Sequence, residues 1–165
     1  MADAQWGTGG YRASNGYIYK ITTTTQTFQA SRTACRRLTG QLAYVGMRNS
    51  TVYRWICFEL KTKRSVKNVP VFMKICHETF SGIAQHFSSG WLNVWIDLSD
   101  LETEGIFRWG DGVLASNGWT KWRPGEPNNV GGVEDCVYLY RPDGATWNDN
   151  ACSKQFPALC EKRIW

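Results

Sequence analysis

The chain has 165 residues, 42% of them hydrophobic, with nine Trp, seven Tyr and seven Phe, which is enough for one full core and too little for two domains. No run reaches the roughly 18 apolar residues that cross a bilayer, so membrane insertion is not expected. The net charge of +5 comes without a nucleic-acid motif, and nucleic acid is not expected as a partner.

In chain order, the opening MADAQWGTGG lacks the apolar centre of a signal peptide, leaving either a cytosolic protein or a mature secreted one. GYIYKITTTTQTF, rich in aromatic and β-branched residues, predicts one or two strands. Thr27 then caps a helix over FQASRTACRRLTG, with Phe28, Cys35 and Leu38 on one face and Gly40 as its stop. Asn49 or Ser50 reads as a second N-cap, followed by Val52, Trp55, Ile56 and Leu60 at helical spacing. Asn49-Ser50-Thr51 is also a glycosylation sequon.

Lys61, Lys63, Arg64, Lys67 and Lys74 form a basic stretch without acids, a solvated face or an attraction for acidic glycans or membrane surfaces. Beyond Pro70, Phe72, Ile75, Cys76, Phe80, Ile83 and Phe87 repeat with helical period and predict a third helix. From Trp91 the pattern changes to short strands: NVWIDL, FRWG, DCVYLY and PALCEKR. Helices first and an antiparallel sheet afterwards make an α+β chain, expected to form a single domain over 1–165.

Cys35, Cys57, Cys76, Cys136, Cys152 and Cys160 are even in number and form no C-x-x-C pair. With only His77 and His86 available, a zinc site is poorly supplied. A secreted, disulfide-bonded domain is the economical reading.

Arg123 to Cys136, RPGEPNNVGGVEDC, carries acids, glycines and prolines with almost nothing to bury. Such a loop is either a solvated connector or is folded around a cation. Glu126, Asn128, Glu134, Asp135, Asn148 and Asp149 offer carboxylate and amide oxygens without sulfur or imidazole, the ligand chemistry of calcium. Held together without a cation, the acids would repel, and one would tend to keep its proton. Spacing alone does not choose between the two readings.

GEPNNVGGVEDC followed by WND and Cys152 resembles the carbohydrate-recognition domain of the C-type lectins. Cys35, the VWIDL strand (Asp97 where the family has Gly), Trp147 and Cys160 fall in the family's order. The resemblance covers roughly residues 17–163, apart from an insertion near 58–88.

It implies two helices flanking two small antiparallel sheets, a long calcium-binding loop, and disulfides Cys35–Cys160 and Cys136–Cys152. It implies a principal calcium held by Glu126, Asn128, Glu134, Asn148 and Asp149, with Pro127 cis. The same five residues would meet the sugar. An auxiliary calcium would draw on Asp100, Glu104, Asn129, Glu134 and Asp135, with Asn129 where an Asp is common. Trp95 and Trp147 are expected in the core, and Asp97 has no functional reading.

The expected function is calcium-dependent binding of mannose, fucose or N-acetylglucosamine on surface glycans and glycoproteins, in innate defence or agglutination. The Glu-Pro-Asn order carries the mannose-type expectation; galactose is the alternative, through a stacking aromatic such as Tyr138 or Tyr140. A structural or matrix role is the second alternative. No enzyme is expected, because carboxylates such as Glu126 and Glu134, neutralised by a cation, are poor proton donors. Cys57 and Cys76 are expected to form a third intrachain disulfide, with an interchain bond in a homodimer or higher oligomer as the rival.

Overall fold

The computed structural model describes residues 6, 11–54, 56, 93–140 and 144–164. The expected third helix, the insertion and the Cys57–Cys76 pair lie outside them.

Two four-stranded antiparallel sheets organise the chain. The framework sheet contains β1 (Tyr11–Arg12), β2 (Tyr17–Ile21), β3 (Gln41–Leu42) and β8 (Leu159–Arg163) in the order β1-β2-β8-β3. The second sheet contains β4 (Asn93–Ser99), β5 (Arg108–Trp109), β6 (Cys136–Tyr140) and β7 (Thr146–Asn150) in the order β5-β4-β6-β7. Loop 100–135, broken only by β5 and short 3-10 turns, rises from this second sheet. The α+β reading and the two small sheets are as expected from the sequence.

The helix α1 (Phe28–Arg37) starts where predicted: Thr27 Oγ1 accepts from the Ala30 amide at 3.3 Å. Phe28, Ser31 and Cys35 form its buried stripe, and Arg36 and Arg37 sit at the negative end of its dipole. The left-handed residue that ends it is Thr39, at φ 61°. Gly40 is required for a different reason: a Cβ there would lie 2.6 Å from the Glu161 carbonyl and from the Trp6 ring. Asn49 caps the next helical segment, residues 50–54, through Oδ1 bonds from the Thr51 and Val52 amides at 3.0 and 3.1 Å.

Strand β4 is buried on both faces, and its alternation divides the core. Val94, Ile96 and Leu98 join a cluster with Tyr53, Trp109, Leu139 and Trp147. Trp95 faces the other way, into Phe28, Cys35, Leu42, Tyr138 and Cys160. Trp147 is fully buried and meets Trp109, Trp119, Trp122 and Tyr53 edge-on, with centroids 5.3 to 6.4 Å apart. Both tryptophans are therefore core residues.

Asp97, unexplained by the sequence, is an anchor for α1. Its Oδ1 lies 2.7 Å from Arg32 Nε, and Arg32 also covers the Phe28 ring at 4.7 Å. Gly110 leaves room for it, since a Cβ there would lie 2.1 Å from Asp97 Oδ2. Disulfide Cys35–Cys160 ties α1 to β8, and Cys136–Cys152 ties the start of β6 to the segment after β7.

Candidate functional site

Hydrogen bonds link the loop residues singled out by sequence into two groups beside the second sheet. β6 and β7 pair Val137 with Asp149 and Tyr138 with Asn148, which fixes Asn148 and Asp149 on a rigid strand. β7 was missed as a strand: TWNDN has little β-branched character, and its burial comes from its partners rather than from its composition. Arg123 and Lys121 bond to either side of Trp147 at 2.9 and 2.7 Å, so the incoming loop is stitched to the same strand.

Glu126-Pro127 is a cis peptide, and it sets the Glu126 and Asn128 side chains together: Asn128 Nδ2 donates to Glu126 Oε1 at 3.0 Å. Asp149 receives the Asn128 and Asn129 amides on Oδ1 and Oδ2, at 3.2 and 2.9 Å. Glu134 Oε2 accepts from the Val130 amide at 2.9 Å, and Asn148 Nδ2 donates to the Asp149 carbonyl at 2.6 Å.

Glu126 Oε2 is left without a hydrogen-bond partner among the described residues, although it is shielded from solvent. Burial, followed by the neighbouring Asp149 and Glu134 carboxylates, pushes the Glu126 pKa up to about 7, with Arg123 opposing. Arg123, not singled out by sequence, also lies over the Tyr140 ring at 4.5 Å.

The second group is looser. Asn129 Nδ2 donates to Glu104 at 2.6 Å, and Asn129 Oδ1 accepts from the Glu134 amide at 3.0 Å. Asp100 and Asp135 meet through the backbone at 3.1 Å. Asp100 Oδ2 accepts from the Gly105 amide at 2.8 Å, whereas Oδ1 is buried and partnerless among the described residues. Burial raises the Asp100 pKa; the Gly105 hydrogen bond opposes this, and the Glu104 charge adds to it.

Among the described residues, no three His, Cys, Asp or Glu side chains converge into a metal-holding group. Asp149, Glu134 and Asp100 accept from backbone amides of the loop, whereas Glu126 and Glu104 accept from the side-chain amides of Asn128 and Asn129. The donor set nonetheless fits a hard cation. It is all oxygen, it keeps a shielded carboxylate oxygen unsatisfied at Glu126, and it forces an acid to hold its proton near neutrality.

Tyr138 is not a sugar platform. It is 6% exposed, with its ring against Trp95 and Phe156 at 6.1 and 4.9 Å.

The model of the family described as "Lectin C-type domain" matches residues 72–162. The human C-type mannose receptor 2 is 30% identical over 148 residues, which cover 89% of this chain and 8% of that protein. The chain therefore spans about a twelfth of that relative's length. Among solved structures, the mouse scavenger receptor C-type lectin carbohydrate-recognition domain superposes with a TM-score of 0.69 at 20% identity, covering 94% of this chain and 96% of that one. The carbohydrate-recognition domain of cow CD23, crystallised in the presence of a GlcNAc2Man3 oligosaccharide, gives 0.67 at 21% identity, covering 94% and 93%. At such identities the likeness is one of fold.

Proposed function

Because the chain belongs to the C-type lectin domain family, a family of carbohydrate-recognition domains, we propose that it binds mannose-type sugars in a calcium-dependent manner through Glu126, Asn128, Glu134, Asn148 and Asp149. The observation that carries this reading is the shielded, partnerless Glu126 Oε2 beside Asp149, displayed by the cis Glu126-Pro127 bond. Bound calcium would supply the positive charge these carboxylates lack and open positions for two vicinal hydroxyls.

The chain's own groups orient the diol. Glu126 and Glu134 accept hydrogen bonds from its hydroxyls, whereas Asn128 and Asn148 donate to them. Asp149 holds the loop by receiving the Asn128 and Asn129 amides. The order acceptor, proline, donor favours mannose, fucose and N-acetylglucosamine. Burial of Tyr138 removes one of the two aromatics that could have stacked a galactose, and Tyr140 is covered by Arg123. Asp100, Glu104, Asn129, Glu134 and Asp135 would hold an auxiliary calcium, with Asp100 Oδ1 as its partnerless oxygen.

The two disulfides fit a secreted domain. No helix among the described residues is long and apolar enough to cross a membrane. One domain with one site binds weakly, so useful avidity calls for several linked copies.

The test is competition on a glycan surface in calcium and in chelator. Mannose should displace the protein, galactose should not, and chelation should abolish binding. Full binding in chelator, or displacement by galactose alone, would overturn the reading.

A further inference from the structure

Asn49-Ser50-Thr51 is the one Asn-x-Ser/Thr triplet in the chain, and neither the fold nor the proposed sugar site uses its side-chain nitrogen. Asn49 stands at the start of the helical segment 50–54. Its carbonyl accepts from the Tyr53 amide at 2.8 Å, and Oδ1 accepts from the Thr51 and Val52 amides at 3.0 and 3.1 Å. All of the capping is thus done by oxygen. Among the described residues, neither Asn49 Nδ2 nor the Thr51 hydroxyl makes a hydrogen bond.

The triplet faces water. Asn49 and Thr51 are exposed, whereas Val52 and Tyr53 of the same segment are buried in the core. A cap alone does not call for asparagine, since Ser or Asp serves comparably. What asparagine adds is a free amide nitrogen. Arg48, next in the chain, donates to Asp111 Oδ2 at 2.6 Å, which sets Asn49 beside the β5 edge of the second sheet. Asn148 and Asp149 lie on β7, the opposite edge.

We propose that Asn49 is an N-glycosylation site, carrying an oligosaccharide on Nδ2. The inference rests on the secreted reading of the two disulfides and not on sugar binding. The donor is a lipid-pyrophosphate-linked oligosaccharide of the secretory compartment. Nδ2 forms a bond to the anomeric carbon and gives up a proton, while the bond from that carbon to the pyrophosphate oxygen breaks and its electron pair leaves with the lipid pyrophosphate. Oδ1 remains an amide oxygen, so the modified residue still caps the helical segment. The glycan costs the fold no hydrogen bond, and its anchor on the β5 side leaves the β7 side open to ligand.

The experiment secretes the full chain from cultured animal cells behind a cleavable leader, as wild type, Asn49→Asp and Thr51→Ala, beside the protein from its natural source. Asn49→Asp keeps a capping oxygen and Thr51→Ala keeps the amide that bonds it, so both variants should fold. Wild-type and natural protein should each migrate more slowly than the variants in electrophoresis, and a peptide N-glycosidase should remove the difference. That enzyme leaves aspartate in place of Asn49, which the peptide mass reads directly. Treated wild type and Asn49→Asp are then the same molecule and should melt alike.

Wild type that migrates with both variants, or a shift that survives Asn49→Asp, would overturn the site. So would disulfide-bonded natural protein whose Asn49 peptide is unmodified. Natural protein recovered with its cysteines reduced would instead defeat the secreted reading, and the site with it.

Discussion

Glu161 on the framework sheet and Glu126 in the loop are the same residue type, and the fold treats them in opposite ways. Glu161 is fully buried and saturated: Oε1 accepts from Gln41 Nε2 and from the Tyr44 and Val45 amides, and Oε2 from the Gly46 amide, at 2.8 to 3.2 Å. Burial still raises its pKa against those four donors. Glu126 keeps one shielded oxygen with nothing to accept and has carboxylates for neighbours. A satisfied buried charge serves the fold, whereas an unsatisfied one awaits something from outside.

The disulfides should show the largest contrast. Replacing Cys35 and Cys160 by Ser opens a loop of 125 residues and should cost about 5 kcal/mol, against about 3 kcal/mol for Cys136 and Cys152, which are 16 apart. Urea unfolding of the two double variants measures the difference; equal losses would mean that the two lobes are not distinct in this respect.

Glu161→Ala should cost about 3 kcal/mol by leaving four donors unpaired in the core. Glu161→Gln should recover only part of this, because an amide nitrogen cannot accept. A fully stable Glu161→Ala protein in thermal melts would contradict the structural role.

Glu126→Gln should act in the reverse direction. In chelator it removes a repelled carboxylate and should raise the melting temperature slightly, while in calcium it should abolish sugar binding. The pH dependence follows the same sign. Without calcium, the native Glu126 holds its proton up to about pH 7 and an unfolded one only to the ordinary 4.5, so its contribution to stability is lost as pH rises between them. With excess calcium the direction reverses, because acid displaces the ion. Melts at pH 5 and pH 8, with and without chelator, should cross; curves that run parallel would show that Glu126 is not coupled to the cation.

The smallest effect concerns Arg32 and Asp97, a partly shielded ion pair on the framework side of β4. Arg32→Ala should cost about 1–2 kcal/mol, more than an exposed pair would, since it leaves Asp97 nearly buried without its partner. Asp97→Gly in the same background should restore much of that loss, and a double-mutant cycle measures the coupling.

Local chemistry made Thr27, Asn49 and strands β2, β4, β6 and β8 legible, because each cap or alternating run acts within a few residues. The two-residue strands β1 and β3 were too short to carry a pattern, and β7 is polar in composition. Asp97 and Glu161 were opaque for another reason: their partners stand 65 residues away at Arg32 and 115 to 117 away at residues 44–46. The loop's all-oxygen donor set, of the kind a hard cation takes, could be read from residue types, but only family resemblance proposed those residues as one site.

The pairing of β2 with β8 has a mechanical consequence. Tyr17 lies opposite Arg163, so once β1, which pairs along the other side of β2, has been stripped away, the chain before Tyr17 and the chain after Arg163 leave from the same end. A load that pulls those two segments apart would not shear the sheet; it would peel it pair by pair, the weak direction for hydrogen bonds. On the β8 side peeling would pass Lys162 and Glu161 and stop at Cys160, opposite Lys20, where the disulfide hands the force to Cys35 on α1; on the β2 side the chain could pay out as far as Cys35. A domain loaded in this way would thus yield only outside the Cys35–Cys160 bond, while the chain between those two cysteines, the loop included, carries no load. In a single-molecule trap, reduction should convert that short yield into full unravelling.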